Sequence, residues 1–157
     1  EQKNHEFLFD IIESAYNQNV NAKFVLFGDG PLFNKYAKKA KRYPNCILLG
    51  NVQNVDLLML NFADCFILPS HHEGLPIVLL ESQGCSVPSL VSDKVSYESC
   101  IDNKLIEFLP IEDANLWLSK INRSKRLSKK INEKVVNSNF NIRHSVKHIC
   151  NIYEKLL

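Results

Sequence analysis

Apolar residues follow two spacings along the chain, one typical of helices and one typical of buried strands. Between residues 7 and 16 they recur with a period of about 3.6 and predict an amphipathic helix. Residues 24–27 form a short, continuously apolar run, which is typical of a parallel strand buried on both faces. A turn with two glycines then ends this strand, and Pro31 suits the first turn of the helix that follows.

The same cycle of strand, turn and helix repeats to the end of the chain. The pattern predicts strands at residues 24–27, 46–49, 65–68, 89–91 and 105–109. It predicts helices at residues 7–16, 32–40, 56–61, 76–83, 112–121, 124–136 and 143–156. Strands that alternate with helices indicate one Rossmann-like α/β domain over residues 1–157, with a parallel sheet covered by helices on both faces. Ligands of such sheets bind beyond the carboxyl ends of the strands.

Composition places the chain among ordinary globular proteins, with 45% hydrophobic and 23% charged residues. No stretch approaches the ~18 apolar residues that a membrane span needs. The five cysteines are odd in number and include no C-x-x-C pair, which gives no support to a zinc or redox motif. We therefore expect a reducing, cytoplasmic location.

The net charge of +2 conceals an uneven distribution. Residues 1–116 contain 9 basic and 15 acidic residues, whereas residues 117–157 contain 10 basic and 2 acidic residues. The basic tail could contact anionic lipid at the inner membrane surface, nucleic acid or an acidic partner domain, or could simply be a solvated helix face. Nucleic acid is disfavoured, because no recognition motif and no repeated aromatic residues accompany the charge.

Each distinctive segment follows a predicted strand, where the fold predicts a ligand site. In the first segment, Gly28 and Gly30 allow positive φ angles and a close approach between backbone and ligand. The same two glycines could also form no more than a tight turn between a strand and a helix.

The second segment, residues 70–81, places Glu73 just before a helix start and Glu81 about 7.5 Å along that helix, at ~1.5 Å per residue. Because Pro76 suits the first helical turn, the N–H groups of Gly74 and Leu75 are expected to be free for an anion such as a diphosphate. Glu73 could instead be a helix-capping acid. The apolar neighbours of Glu81 indicate a buried helix, in which a carboxylate needs a partner.

These segments belong to the runs FVLFGDGPL, LLGNV and ADCFILPSHHEGLPIVLLE, in that order. Together they resemble the C-terminal domain of the family-4 glycosyltransferases, the group 1 enzymes of GT-B architecture. Glu73 and Glu81 match the Glu-x7-Glu signature of that family, and the resemblance covers nearly the whole chain. Residues 91–95 and 108–110 look more like those of capsular or exopolysaccharide members than those of sucrose or starch enzymes.

The resemblance implies a role for each matching position. For the diphosphate of the donor, it implies contacts with Lys3 and with the helix start at Gly74, Leu75 and Pro76. For the sugar it implies Glu73, and for the ribose Glu81. Gly28 and Gly30 would line the donor cleft, and Asn51 and Val52 would read the base. His72 could reach the sugar or could be only a hydrogen-bonded neighbour of the carboxylate, and Lys3 could be simply exposed. The arginine that usually accompanies this lysine, the first strand and an N-terminal acceptor domain are all expected upstream of Glu1.

The implied reaction is a retaining transfer of a sugar from a nucleoside diphosphate, with UDP favoured, to an acceptor hydroxyl. Glu73 would be the catalytic residue, and a glycan or lipid-linked acceptor would bind to the N-terminal domain. The sequence contains no Asp-x-Asp motif, so neither a metal ion nor another cofactor is expected. The isolated domain is expected to bind UDP weakly and to be inactive.

Two other interpretations remain open at the level of sequence. One is half of a GT-B-fold enzyme of another kind, such as a UDP-sugar epimerase or a phosphorylase. A phosphorylase would need a lysine that binds pyridoxal phosphate, and the sequence has no matching motif around a lysine. The other is a catalytically silent module that binds nucleotide sugars or scaffolds a partner enzyme. An upstream segment of roughly 180–200 residues with its own α/β pattern would favour the transferase.

Overall fold

The computed structural model of the protein describes residues 2–124, 126 and 129–155. Its strands are β1 (Phe24–Leu26), β2 (Cys46–Leu48), β3 (Phe66–Leu68), β4 (Ser89–Ser92) and β5 (Ile106–Leu109). Its helices are α1 (His5–Asn17), α2 (Phe33–Ala40), α3 (Val55–Phe62), α4 (Ile77–Gly84), α5 (Ala114–Arg123), α6 (Glu133–Val136) and α7 (Ile142–Glu154), and a 3-10 turn covers Tyr97–Ser99. Each predicted strand is present to within one residue at either end, and the α/β fold class is confirmed.

All strand pairs are parallel, but hydrogen bonds divide the strands into two groups. In the first, β1 pairs with β2 in the register Phe24↔Cys46. In the second, the strand order is β3-β4-β5, with Ser89 of β4 opposite Phe66 on one side and Ile106 on the other. Among the described residues no pairing joins β1 to β3, so the predicted sheet is present as two parallel sheets.

Side chains of β4 alternate between two apolar cores, which is why helices cover both faces. Leu90 belongs to a core that includes α1 and the fully buried Trp117 of α5. Val91 belongs to a second core with Leu79 of α4. Helix α1 packs against α5 on the first face, and α3 and α6 pack against α4 on the other. The indole Nε1 of Trp117 donates to the carbonyl of Pro110 at 2.6 Å and so fixes α5 to the loop after β5.

The prediction of a helix over residues 124–136 is wrong for most of its described part. Helix α5 ends at Arg123, Ser124 has the extended angles φ −64° and ψ 119°, and helical structure resumes only at α6. Positions 125, 127 and 128 of that prediction lie outside the described residues.

A tertiary contact of Arg126 replaces helical hydrogen bonds in this segment. Its guanidinium donates to four carbonyls at the ends of α3 and α4, those of Met59, Leu60, Ala63 and Cys85. Because the last carbonyls of a helix lack partners within the helix, this side chain acts as a shared cap for the two helices. Helical periodicity in the sequence cannot report such a long-range contact.

Cys46 and Cys65 are half-buried and behave as small apolar residues. All five cysteines are free. Burial raises the pKa of both Cys46 and Cys65 to about 11, so these thiols stay protonated near neutral pH. None of the helices in the described ranges combines the length and the apolar character that a membrane span requires.

Asp102 tethers α6 to the loop before β5. Its carboxylate is only 8% exposed and accepts hydrogen bonds from Lys134 Nζ at 2.7 Å and from Asn132 Nδ2 at 3.2 Å. Burial raises the pKa of Asp102, but the hydrogen bonds from Lys134 and Asn132 outweigh it, so the net pKa lies below its ordinary value of 3.8. The contact therefore stabilises the fold fully above pH 3.8, and this stability is lost as the pH falls through the lower pKa of the folded state.

We expect Asp102→Asn to lower the free energy of unfolding by about 1–2 kcal/mol near neutral pH, since Lys134 is partly exposed and its attraction is screened. The difference from the wild type should shrink as the pH is lowered below the pKa of the folded state. Urea unfolding followed at a series of pH values measures this, with Asp64→Asn on an exposed loop as the matched control. A difference that stays constant into strong acid would contradict the assignment.

Candidate functional site

The loops that follow β1, β2 and β3 carry most of the predicted site residues. The loop after β1 contains Gly28 and Gly30, the loop after β2 contains Asn51 and Val52, and the loop after β3 contains Glu73. Carboxyl ends of paired parallel strands lie at the same edge of a sheet, which is where open α/β sheets bind ligands. Since β1 pairs with β2, the loops after these two strands lie at one edge although they are distant in sequence.

A cavity of about 380 Å³ shows that the loops after β1 and β3 approach each other. Leu32, two residues after Gly30, and His71, two residues before Glu73, both line this cavity. Its other walls come from the start of α1 and from α2, namely Asn4, His5, Glu6, Lys35 and Tyr36. The glycine turn and the segment around Glu73 thus flank a common concave region.

Glu73 is held firmly although it lies in a loop. It is 9% exposed, and its Oε1 atom lies 2.6 Å from Lys3 Nζ and accepts a hydrogen bond from Ser70 Oγ at 3.0 Å. Its backbone forms a parallel bridge with Val95 in the loop after β4, and its carbonyl accepts from Ser96 N–H at 3.3 Å. The carboxylate is therefore fixed in position before any ligand binds.

The two oxygens of Glu73 differ in how well they are satisfied. The contacts of Oε1 are short, whereas Oε2 accepts a single hydrogen bond from the described residues, from Gln2 Nε2 at the long distance of 3.5 Å. A carboxylate oxygen can accept two hydrogen bonds. Oε2 therefore retains acceptor capacity for a hydroxyl group of a ligand.

The segment before α1 contributes to the same region. Gln2 accepts a backbone hydrogen bond from His71 N–H at 2.9 Å, and its side chain donates to the carbonyl of His72 at 2.9 Å. Lys3 follows directly, and its side chain is half exposed while its ammonium group pairs with Glu73. An ammonium carries three donors, so Lys3 can bind an anion and still contact Glu73.

Helix α4 begins one residue later than the sequence predicts. Pro76 is the N-cap, with φ −73° and ψ 105°, and it provides no side-chain cap for the helix. The N–H groups of Ile77 and Val78 are thus the first of the helix, and they join those of Gly74 and Leu75 as donors without a side-chain cap at its positive end. Anion binding at this helix start stays a prediction, with Ile77 and Val78 added to Gly74 and Leu75 as candidate donors.

The expectation that Glu81 is buried is wrong. Helix α4 buries Leu79, Ser82 and Gln83, and Glu81 is exposed on another face together with Ile77, which is 68% exposed and lies four residues earlier. Residues four apart share a helix face, so Ile77 and Glu81 both point away from the core. Glu81 therefore needs no buried partner and is accessible to a ligand.

Gly28 and Gly30, the two glycines of the first turn, differ in backbone conformation. Gly28 has φ +127°, a conformation that residues with a Cβ rarely adopt, and its N–H donates to the carbonyl of Gly50 at 2.7 Å. Gly50, which itself has φ +69°, thereby links the loops after β1 and β2. Gly30 does not have the positive φ that the sequence suggested, and a Cβ there would meet no protein atom within 4 Å.

The remaining predicted residues lie at this edge with few fixed contacts. Asn51 is exposed and Val52 is half-buried directly after Gly50, and the side chain of His72 is exposed. In the described residues, no three His, Cys, Asp or Glu side chains are grouped as metal ligands. That the reaction needs no metal ion stays a prediction.

Sequence reasoning missed three contributors to the site: Ser70, Gln2 and Val95. Ser70 is fully buried and lies three residues before Glu73, a spacing that could have suggested a local hydrogen bond. Val95 acts through its backbone and Gln2 through both its backbone and its side chain, in each case on residues distant in sequence, and no local pattern predicts such contacts.

The chain belongs to the family of group 1 glycosyl transferases, whose model matches residues 1–147. A putative glycosyltransferase of Bacillus subtilis (strain 168), EpsF, is 28% identical over 161 residues, which cover 98% of this chain and 42% of the relative. The UDP-Gal:alpha-D-GlcNAc-diphosphoundecaprenol alpha-1,3-galactosyltransferase of Escherichia coli is 30% identical over 166 residues, covering 97% and 42%. The chain thus spans less than half the length of these two relatives.

Solved structures share the fold. TarM superposes with a TM-score of 0.76 at 19% identity, over 94% of this chain and 32% of that structure. Sucrose-phosphate synthase from Thermosynechococcus elongatus gives a TM-score of 0.77 at 18% identity, over 99% of this chain and 42% of that structure. The predicted resemblance to GT-B glycosyltransferases is therefore confirmed at the level of family and fold.

Proposed function

We propose that this domain binds the donor of a retaining glycosyltransferase, a nucleoside diphosphate sugar, between the loops that follow β1, β2 and β3. The observation that carries the proposal is the arrangement at the start of α4. There Glu73 is buried and fixed through Oε1 by Lys3 and Ser70, directly before a helix end whose N–H groups lack a side-chain cap. A carboxylate that can accept hydrogen bonds from a sugar thus lies next to N–H groups that can bind an anion.

The chemistry requires that charge be stabilised on the leaving group. The nucleoside diphosphate gains negative charge as the bond to the sugar breaks, and the sugar becomes oxocarbenium-like. That charge would be stabilised by hydrogen bonds from Lys3 and from the N–H groups of Gly74 and Leu75, and by the positive end of the helix dipole. Groups that are already in position in this way stabilise a transition state. Glu73 orients the sugar through Oε2, and we propose that no divalent ion is needed.

The names of the relatives suggest the donor and the acceptor. The E. coli relative is named for UDP-Gal as the donor and for a sugar linked to diphosphoundecaprenol as the acceptor. We propose a UDP-sugar and a glycan or lipid-linked acceptor for this protein, in the synthesis of a surface polysaccharide. The acceptor would bind to another domain, whose closure over the donor would exclude water. We propose that the protein acts in the cytoplasm and that its basic tail contacts the inner membrane surface, where a lipid-linked acceptor would lie.

Glu81 supplies the test of nucleotide binding. We expect residues 1–157 to bind UDP in the micromolar to millimolar range, because part of the donor cleft belongs to the rest of the protein. Glu81→Ala should weaken UDP binding by about 1–3 kcal/mol, since the ribose hydroxyls would lose a charged acceptor. Isothermal titration with UDP measures the change, after a thermal-shift panel of UDP-, GDP- and ADP-sugars has identified the preferred nucleotide.

The control is Glu154→Ala, which removes an exposed glutamate at the end of α7 and should leave UDP binding unchanged. Because Glu81 is exposed, its loss should not alter the unfolding midpoint. Unchanged UDP affinity in the folded Glu81→Ala variant would exclude Glu81 as the ribose ligand. The absence of any nucleotide binding by the folded domain would contradict the proposed function itself.

A further inference from the structure

Two consecutive residues before α1 hold three consecutive residues of the loop after β3. The carbonyl of Gln2 accepts from His71 N–H at 2.9 Å, and its side-chain Nε2 donates to the carbonyl of His72 at 2.9 Å. The same Nε2 lies 3.5 Å from Glu73 Oε2, and Lys3 Nζ lies 2.6 Å from Glu73 Oε1. Both oxygens of the Glu73 carboxylate are therefore in contact with this short segment.

The amide group of Gln2 suits a contact with two acceptors. Its nitrogen carries two hydrogens, and one of them is used by the carbonyl of His72 at an ordinary hydrogen-bond distance. The second hydrogen is left for Glu73 Oε2, at a distance that makes this bond weak. Because a carboxylate oxygen accepts two hydrogen bonds, a sugar hydroxyl can bind Oε2 while Gln2 stays in place. Gln2 thus restricts the rotation of the carboxylate without blocking it.

Gln2 also fixes the backbone from which the side chain of Glu73 extends. The carbonyl of His72 and the N–H of Glu73 belong to one planar peptide group, so a hydrogen bond to the carbonyl orients both. On the other side of the residue, Ser96 N–H donates to the carbonyl of Glu73 at 3.3 Å. The direction of Glu73 is therefore set at its backbone as well as at its carboxylate.

Lys3 and Gln2 respond differently to charge on the donor. In the proposed function the ammonium group of Lys3 is shared between Glu73 and the diphosphate, and its attraction to the diphosphate grows as negative charge develops there. Gln2 is neutral, so this charge does not draw it away from His72 and Glu73. The hydrogen bond from Ser70 Oγ to Oε1 is likewise between a neutral donor and the carboxylate. Gln2 and Ser70 therefore hold Glu73 at the moment when Lys3 is most strongly attracted elsewhere.

We propose that Gln2 is a positioning residue for sugar transfer, which acts by keeping the carboxylate of Glu73 directed at the sugar. It contacts neither the nucleotide nor the diphosphate, and its whole effect on the reaction passes through Glu73. The inference rests on the proposed function, because it requires that Glu73 binds the sugar. The side chain of Gln2 is exposed, so its hydrogen bonds contribute little to the stability of the fold.

Gln2→Met in the complete transferase tests the proposal, because methionine keeps the length of the side chain and removes its donors. The variant should lower kcat about 10-fold, while the affinity for UDP stays within about twofold and the unfolding midpoint is unchanged. Release of UDP from the UDP-sugar selected by the thermal-shift panel measures kcat, and isothermal titration measures UDP binding. An unchanged kcat, or a loss of UDP affinity as large as the loss of kcat, would overturn the proposal.

The matched control is Gln18→Met at the other end of α1. Gln18 is exposed, and its Nε2 also donates two hydrogen bonds, to Ser14 Oγ at 2.8 Å and to Asn115 Oδ1 at 2.9 Å. Its loss should leave kcat unchanged, so an equal fall of kcat in both variants would show a general effect on the fold and would overturn the proposal. Gln2→Glu keeps the shape of the side chain but cannot donate, and it should lower kcat at least as far as Gln2→Met. Wild-type kcat in Gln2→Glu would mean that packing matters and hydrogen bonding does not.

A double-mutant cycle with Glu73→Ala shows whether Gln2 acts through Glu73. Added to Glu73→Ala, Gln2→Met should lower kcat by no more than about twofold, because no carboxylate remains to be positioned. A further loss of about 10-fold would mean that the two residues act independently, against the proposal. If Glu73→Ala alone leaves kcat unchanged, the proposed role of Glu73 fails and this inference fails with it. If Glu73→Ala lowers kcat and Gln2→Met does not, only the role of Gln2 is overturned.

Discussion

Glu73→Ala, made in the complete transferase, is expected to lower kcat by about 10²–10³-fold while the affinity for UDP stays within about twofold. Glu73 contacts Lys3 and Ser70 through Oε1, and Oε2 retains acceptor capacity. In the proposed function Oε2 holds the sugar rather than the nucleotide. Its interaction is therefore realised as the sugar acquires charge, and it should appear in kcat and not in the binding of UDP.

Steady-state kinetics with the preferred UDP-sugar and isothermal titration with UDP separate these two effects. Ser70→Ala is a useful companion variant, because it removes the hydrogen bond to Oε1 while the carboxylate remains, and it should reduce kcat less. A Glu73→Ala variant that loses UDP affinity while Glu81→Ala keeps it would invert the two assignments. Variants at both glutamates that merely unfold the domain would show that the residues are structural.

Gln83→Leu is expected to destabilise the fold by about 2–5 kcal/mol, because it leaves one buried and one half-buried N–H group without acceptors. Gln83 is fully buried, and its Oε1 accepts from the backbone N–H groups of Ile101 and Asp102. Its Nε2 donates to the carbonyls of Leu79 and Ser99. This one side chain thus fastens the loop after the 3-10 turn to α4, and leucine can replace its volume but none of these hydrogen bonds.

Urea unfolding of the two proteins measures this loss. Gln53→Leu makes the same substitution on an exposed loop and should change stability by no more than about 0.5 kcal/mol. A loss for Gln83→Leu as small as that for Gln53→Leu would mean that the N–H groups of Ile101 and Asp102 find other acceptors. The loop around residue 101 should also exchange its amides faster in Gln83→Leu than in the wild type.

Local chemistry explains why the strands and the edge that carries the site could be predicted. Short apolar runs ended by glycine or proline specify buried parallel strands without knowledge of the partners, and β1 to β5 follow these runs closely. The motif around Glu73 could be placed at the start of a helix because Pro76 restricts its own φ angle. The family resemblance rests on these same segments, and the match over residues 1–147 confirms it.

Long-range contacts explain where the predictions were wrong. The apolar neighbours of Glu81 predicted a buried helix, but α4 packs with one face only, and the residues on the other face are exposed. The segment after α5 has helical periodicity, yet it is not helical at Arg126, whose side chain caps α3 and α4. In both cases the side chains decide only that a surface is apolar or charged, and the packing decides which surface is used.

For this protein, the sequence by itself determined the alternation of strands and helices, the turn residues at each strand end and the family. Those features depend on interactions between residues close in the chain, such as the positive φ of Gly28 and the restricted φ of Pro76. Only the tertiary structure decided that Lys3 and Ser70 fix one oxygen of Glu73, and that β1 and β3 are separated by a cavity. Such contacts join residues far apart in sequence, so their energy depends on how whole elements pack and leaves no periodic trace in the chain.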